Sequence, residues 1–118
     1  MKLFVLILNH IEKLDDLMVA FAKENIKGAT IFDSTGMARE LSDSGYREEE
    51  IPFLVSLRGY LNYDDGRKNK TILTVIRDDQ QETIIKTTKE VVGDFSEPDT
   101  GIMFILPLDY VVGRGQEK

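Results

Sequence analysis

An α+β sandwich is the fold class that the sequence predicts, because a strand–helix–strand pattern occurs twice along its 118 residues. The first copy occupies residues 1–32 and the second residues 70–107. Two such units in tandem give a ferredoxin-like βαββαβ sandwich, in which two helices cover one face of an antiparallel sheet. The length and the 42% share of apolar residues are typical of one folded domain, which is expected to span residues 1–118.

The first copy opens with an apolar run at Lys2–Leu8 that is typical of a buried strand. Asn9 and Glu12 have the spacing of a capping box and predict the start of a helix. Asn25 or Gly28 is expected to end that helix in the left-handed conformation. Apolar residues recur at helical spacing and form the face that the helix buries: Leu14, Leu17, Met18 and Phe21.

The second copy repeats this organisation after a short strand at residues 29–32 closes the first. Strands are expected at residues 71–76 and 102–106. Asp79 with Glu82 predicts a second capping box, and Gly93 is expected to end the second helix. The apolar face of this helix consists of Ile84, Ile85, Thr88, Val91 and Val92.

The sheet face opposite the helices is expected to carry apolar side chains from all four strands. The chain is acidic, with 21 Asp and Glu residues against 15 Lys and Arg residues and a net charge of −6. An exposed apolar face on such a chain predicts contact with another subunit.

Composition also excludes several functional classes. The net negative charge argues against binding to nucleic acids or to an anionic membrane, both of which need a basic surface. No apolar stretch approaches the ~20 residues of a membrane span, and the first strand is too short for a signal peptide. Cysteine is absent, which excludes thiolate metal sites and cysteine nucleophiles. We therefore expect a soluble, cytoplasmic domain.

Residues 37–69 separate the two copies and are far longer than a hairpin turn. Loops of this length are usually functional or disordered. Within them, residues 53–61 are apolar, follow Pro52 and place Leu54, Leu57 and Leu61 on one side, which predicts a short extra helix. This helix either serves in signalling or only covers the sheet or a subunit interface.

No motif indicates an enzyme. His10 is the only histidine, and the chain lacks a Walker loop, a dinucleotide fingerprint and a nucleophile elbow. The Ser34–Gly36 turn with Arg39 close behind has the hydroxyl, glycine and guanidinium groups that hold an anion, although it also fits an ordinary turn. The turn at residues 98–101 and the tail at residues 113–116 are further candidates, with an ordinary loop and a frayed terminus as the alternatives.

Four segments resemble the nitrogen regulatory protein PII family in order and spacing. They are Met1–Leu3, Lys13–Asp16, Lys27–Thr30 and Gly101–Val112. The resemblance implies a homotrimer whose sheets line its interior and whose three clefts between subunits bind adenine nucleotides, often with a small metabolite. It also implies that the long loop transmits the bound state to a partner protein in nitrogen or carbon regulation.

The chain departs from the family's motifs at places that matter for the ligand. The family's Gly-Phe-Gly-Arg-Gln stretch is Gly36–Glu40 here, with an alanine at the second glycine and a glutamate at the glutamine. In the loop before the last strand only Gly101 matches, and Ile102 replaces the phosphate-binding lysine. Of the family's paired tail arginines only Arg114 remains. No tyrosine lies in the family's modification motif. With fewer cations, we expect a ligand with fewer phosphates than ATP, such as AMP, ADP or a cyclic nucleotide.

The sequence thus predicts a PII-like sensor with no catalytic and no metal-binding residues. Arg58 is included among the ligand-binding residues because it is a cation within the apolar residues 53–61, although it also fits an outward-facing helix position. The predicted ligand-binding residues are Thr35, Gly36, Met37, Arg39, Arg58, Thr100, Gly101 and Arg114. The alternatives are a CutA-like or purely structural trimer without a nucleotide site and, less favoured, a small enzyme of the acylphosphatase type.

Overall fold

The structure is a computed structural model that describes residues 1–43, 45, 50 and 68–113. The chain divides into two compact units, Met1–Phe32 with Lys70–Lys118, and Asp33–Asn69. In chain order the elements are β1 (Lys2–Leu8), α1 (Leu14–Lys23), β2 (Thr30–Ser34), α2 (Met37–Asp43), β3 (Asn69–Ile76), α3 (Gln81–Val92) and β4 (Gly101–Pro107).

The four strands form one antiparallel sheet in the order β2-β3-β1-β4, which confirms the predicted βαββαβ sandwich. β1 lies in the interior of the sheet and pairs with β3 from Lys2↔Ile76 to Leu8↔Lys70. On its other side it pairs with β4, with Leu8 opposite Gly101. The strand predictions were correct in place and type: β1 has the predicted bounds, and the bounds of the other three strands differ from the predicted ones by no more than two residues at either end.

The core lies between the sheet and the two long helices. Phe4 of β1 meets Phe21 of α1 edge to face, with ring centroids 6.0 Å apart and an interplanar angle of 81°. Alternate residues of β1 and β3 point into this layer because side chains alternate along a strand. The buried apolar residues are Phe4, Leu6, Leu8, Leu17, Phe21, Ile26, Ile72, Ile76, Ile84 and Val92.

The opposite side of the sheet is apolar and partly exposed in the single chain, although Val5 is already buried there. The strand register places on this side the odd-numbered apolar residues of β1 and β3 and the even-numbered ones of β4. On β4 the exposed fractions are 56% for Ile102, 41% for Phe104 and 46% for Leu106. We call this surface the open face; its residues are Leu3, Val5, Ile7, Leu73, Val75, Ile102, Phe104 and Leu106.

The residues predicted to end the helices do so. Asn25 has a φ of 62°, and the N–H of Ile26 donates to the carbonyl of Phe21 at 2.9 Å, which closes the last turn of α1. Gly93 has a φ of 105° directly after α3. The side chain of Lys13 adds a hydrogen bond to the carbonyl of Val92 at 3.3 Å, at the end of α3 where a cation is favourable.

Both predicted capping boxes were wrong. The backbone N–H of Asn9 donates to the carbonyl of Thr100 at 3.2 Å, just beyond the paired ends of β1 and β4. A 3₁₀ turn at Ile11–Lys13 precedes α1, and neither has a side-chain cap. Before α3, the side chain of Gln80 accepts from the backbone N–H of Arg77 at 2.9 Å, two residues earlier than predicted. A 3₁₀ turn at Asp78–Gln80 accounts for this shift.

Thr74 places a polar group in the core. Its side chain is 2% exposed, and its hydroxyl has no hydrogen-bond partner among the residues that the structure describes. We expect Thr74→Val, which has the same shape, to raise the free energy of unfolding by about 1 kcal/mol, because it removes an unsatisfied buried hydroxyl. Urea unfolding followed by circular dichroism measures this.

Thr88→Val is the matched control for that prediction. Thr88 is equally buried, but its hydroxyl donates to the carbonyl of Ile84 at 2.7 Å. This variant loses a hydrogen bond and gains no stability. Equal stabilisation by both variants would show that the added methyl group, and not the unsatisfied hydroxyl, accounts for the effect.

Candidate functional site

The turn after β2 contains two of the predicted ligand-binding residues, and a third, Met37, is the first residue of α2. Thr35, Gly36 and Met37 are all exposed, and 73% of Met37 is accessible. The carbonyl of Gly36 accepts from the N–H of Glu40 at 3.0 Å, so the helix begins at this turn. Arg39 lies in the first turn of α2 and is half-buried. This helix was not predicted, because its residues were assigned to the long loop.

Ser34 and Asn69 hold the two ends of the second unit together at the root of this turn. The hydroxyl of Ser34 contacts Oδ1 of Asn69 and lies 3.4 Å from the carbonyl oxygen of Asn69. The amide nitrogen of Asn69 faces the turn, since a Cβ built on Gly36 would lie 3.8 Å from it. Asn69 is absent from the sequence-predicted residues. A lone polar residue at the start of an apolar strand is too common a pattern to identify it.

The corner at the start of β4 contains Thr100 and Gly101 and is tightly built into the first unit. Thr100 is 3% exposed, and its hydroxyl donates to the carbonyl of Asp94 at 3.1 Å. Gly101 has a φ of 138°, and a Cβ at this position would lie 2.2 Å from the carbonyl oxygen of Ile7. In the single chain both residues shape the corner. Their contact with a ligand stays a prediction.

The loop before this corner is organised by the carboxylate of Asp94. It accepts from the backbone N–H of Ser96 at 2.9 Å and from the hydroxyl of Ser96 at 2.8 Å. These hydrogen bonds, the backbone one foremost, hold the pKa of Asp94 below its usual value of 3.8. The N–H of Glu97 donates to the carbonyl of Asp94 at 3.2 Å. The backbone N–H groups of Ser96 and Glu97 thus already donate hydrogen bonds within the loop.

The remaining predicted residues and the single histidine add less to the site. Arg58 and Arg114, like the predicted helix at residues 53–61, lie outside the described residues. His10 is 38% exposed, and its Nδ1 lies 3.4 Å from a carboxylate oxygen of Glu12. Among the residues that the structure describes, no group of three or more His, Asp or Glu side chains could hold a metal ion.

A depression of about 430 Å³ lies on α3 in the first unit. The described residues that line it are Glu82, Ile85, Lys86, Lys89 and Glu90, none of which is among the predicted ligand-binding residues. Two acids and two bases surround one apolar side chain, so the depression favours neither an anion nor a cation.

The family model for nitrogen regulatory protein P-II matches residues 1–117, almost the whole chain. The chain belongs to the P-II family. A search of the curated proteins gives no match. The family assignment confirms the resemblance that the four sequence segments indicate, and with it the identification of a PII-like signalling protein of ferredoxin-like fold.

P-II proteins are regulators and not enzymes, and they are typically trimeric and bind effectors. The open face of this P-II chain is the kind of surface that a subunit of such an assembly presents. Within the described part of the chain, no helix has the length and apolar composition needed to cross a membrane.

Proposed function

We propose that this P-II protein is a cytoplasmic homotrimer that senses a small anionic metabolite and signals through residues 37–69 to a partner protein. The ligand is an adenine nucleotide with fewer than three phosphates, bound in clefts between subunits. In this proposal residues 1–118 act as one domain, and residues 37–69 are its signalling segment. The partner belongs to nitrogen or carbon regulation.

The family match is the observation that carries this proposal, and the open face supports its trimeric part. The eight apolar side chains of the open face come from β1, β3 and β4. Four of them, Val75, Ile102, Phe104 and Leu106, are exposed in the single chain. Burial of apolar surface stabilises association by roughly 25 cal/mol per Å² removed from water. A symmetric arrangement in which three sheets face one another buries this side in every subunit.

The turn after β2 supports the ligand-binding part of the proposal. Thr35 and Gly36 are exposed there, and Arg39 follows one turn later on α2. A guanidinium group is suited to phosphate because it donates two parallel hydrogen bonds. We propose that Arg39 neutralises the ligand's phosphate and that Thr35 and Met37 contact the rest of the nucleotide. Arg58, Thr100, Gly101 and Arg114 complete the proposed set.

The signal in this mechanism is a transition of residues 37–69 between a disordered and an ordered state. A ligand that binds more tightly to one conformation of the turn after β2 shifts the equilibrium toward that conformation. The size of the shift is set by the difference between its affinities for the two conformations. The ordered segment then binds or releases the partner. The chain's net charge of −6 makes a ligand of high negative charge costly, which favours a monophosphate, a diphosphate or a cyclic nucleotide.

A thermal-shift screen tests the ligand. We expect AMP, ADP, cyclic AMP or cyclic di-AMP, with or without magnesium, to raise the melting temperature by several degrees at ~100 times the dissociation constant. ATP, 2-oxoglutarate and bicarbonate complete the screen. Arg39→Ala should abolish the shift, because it removes the cation that pairs with phosphate.

Arg77→Ala is the matched control for that substitution. Arg77 is also an arginine, but its Nε pairs with Asp79 at 3.1 Å just before α3, away from the turn after β2 along the chain. This variant should retain the ligand-induced shift in full. A shift that survives in Arg39→Ala would remove Arg39 from the binding site.

A structural trimer without a nucleotide site is the second candidate, and one observation favours it. The Thr100 hydroxyl donates to the carbonyl of Asp94, and Gly101 allows the close approach to Ile7, so the fold alone accounts for both residues without a ligand. Under this alternative the protein is trimeric, but no nucleotide in the screen raises its melting temperature.

A further inference from the structure

The second unit contains a polar contact that the family assignment and the proposed ligand site do not explain. Ser34 is the last residue of β2 and Asn69 is the first residue of β3, so the two residues bracket the segment between them. Ser34 is partly buried, and its hydroxyl contacts both Oδ1 and the carbonyl oxygen of Asn69. We call this pair the Ser34–Asn69 clasp.

We propose that the Ser34–Asn69 clasp positions the turn after β2, and with it Arg39, for ligand binding. This inference rests on the proposed function, because it concerns the same turn. Ser34 and Asn69 are positioning residues in this scheme: they act on the ligand through Thr35, Gly36 and Arg39.

The chemistry of the two side chains fixes which one donates and which one accepts the hydrogen bond of the clasp. A serine hydroxyl has one proton to donate, and Oδ1 of Asn69 accepts it. This contact turns the amide nitrogen of Asn69 toward Gly36, where the nearest atom to a Cβ would be that nitrogen at 3.8 Å. The Asn69 side chain thus contacts the end of β2 through Ser34 and lies beside Gly36, where the chain turns.

The turn after β2 also determines where α2 begins. The carbonyl of Gly36 accepts the N–H of Glu40 at 3.0 Å, which is a first hydrogen bond of the helix, and Arg39 lies within that helical turn. Only two residues separate Ser34 from α2. A change in the direction of the chain at Ser34 therefore moves the start of the helix and the guanidinium of Arg39.

Hydrogen exchange of the ligand-free, full-length protein tests the clasp itself. We expect Ser34→Ala and Asn69→Leu each to speed exchange in the peptide covering residues 33–40 by about five-fold, the loss of one ordinary hydrogen bond. The double variant should exchange no faster than Ser34→Ala alone, because Ser34→Ala already removes the side-chain contact that Asn69→Leu removes. Effects that multiply, to about 25-fold, would overturn the proposal.

Two conservative variants, which keep the hydroxyl donor or the oxygen acceptor, act as controls for the hydrogen bond. Ser34→Thr keeps a hydroxyl donor and Asn69→Asp keeps an oxygen acceptor, so both should retain slow exchange. Fast exchange in both would overturn the clasp, since it would show that shape and not the hydrogen bond matters.

Ligand affinity tests the positioning role separately. With whichever nucleotide raises the melting temperature of the wild type, calorimetry should show binding several-fold weaker in Ser34→Ala and close to wild type in Ser34→Thr. Unchanged affinity in Ser34→Ala would overturn the positioning role. If the wild type binds none of the nucleotides, the proposed function fails, while the exchange experiment still decides whether the clasp exists.

Discussion

Gly101→Ala is expected to destabilise the protein by about 3 kcal/mol or more, a large share of the free energy of unfolding of an ordinary domain. The added Cβ would lie 2.2 Å from the carbonyl oxygen of Ile7, on the neighbouring strand β1. The residue also has a φ of 138°, which is unfavourable for a side chain. The neighbouring atom is backbone, so the sheet has to open between β1 and β4 to relieve the overlap. Denaturant unfolding measures the loss.

Gly93→Ala separates the two causes. Gly93 has a similar positive φ of 105°, but a Cβ there meets no atom within 4 Å. This variant has the conformational cost without the clash, and we expect it to lose about 1–2 kcal/mol. If both variants lose the same free energy, then strain alone explains the effect and the close approach to Ile7 is relieved by small movements.

Phe104→Asp is expected to convert the assembly to monomers. Phe104 lies in the middle of β4 on the open face, opposite Val5 of β1, and is 41% exposed in the single chain. Burying three carboxylates in place of three aromatic rings would cost a trimer on the order of 10 kcal/mol. Sedimentation should give three times the 13.4 kDa chain mass for the wild type and the single chain mass for the variant.

Val19→Asp is the control for that experiment. Val19 is 54% exposed on α1, in the helix layer and not on the open face. The same charge introduced there should leave the trimer intact, and circular dichroism should show that both variants remain folded. A wild type that sediments as a monomer would contradict the trimer, and a trimeric Phe104→Asp would place the subunit contact elsewhere.

The strands and the long helices were predictable from patterns of several residues, and the helix ends at Asn25 and Gly93 from residue types suited to a positive φ. The helix starts were not predictable in this way. The apolar run of β1 and the helical spacing of Leu14, Leu17 and Phe21 identify their elements because burial acts on several residues of each pattern. A cap depends on one hydrogen bond. Asn9 has the right chemistry for one, but its N–H is engaged by the carbonyl of Thr100, which is distant in sequence.

The same distinction applies to the candidate site. The turn at Thr35 and Gly36 was recognisable from residue types, and the structure places both residues in an exposed turn ahead of a helix. Thr100 also has a suitable residue type, yet its hydroxyl is bonded to the carbonyl of Asp94. The contact between Ser34 and Asn69 joins residues 35 positions apart, and no local pattern in the sequence encodes such a pair.

The interior position of β1 has a consequence for how the chain folds. β1 precedes both of its partner strands in the chain, because β3 and β4 lie at residues 69–76 and 101–107. During synthesis the apolar residues of β1 therefore have no sheet partner until β3 and β4 have also emerged from the ribosome. Contacts of such long sequence separation slow folding, because the entropy of closing the intervening loop is lost before the contact forms. Residues 37–69 lengthen that loop, so the segment proposed to carry the signal also delays the completion of the sheet.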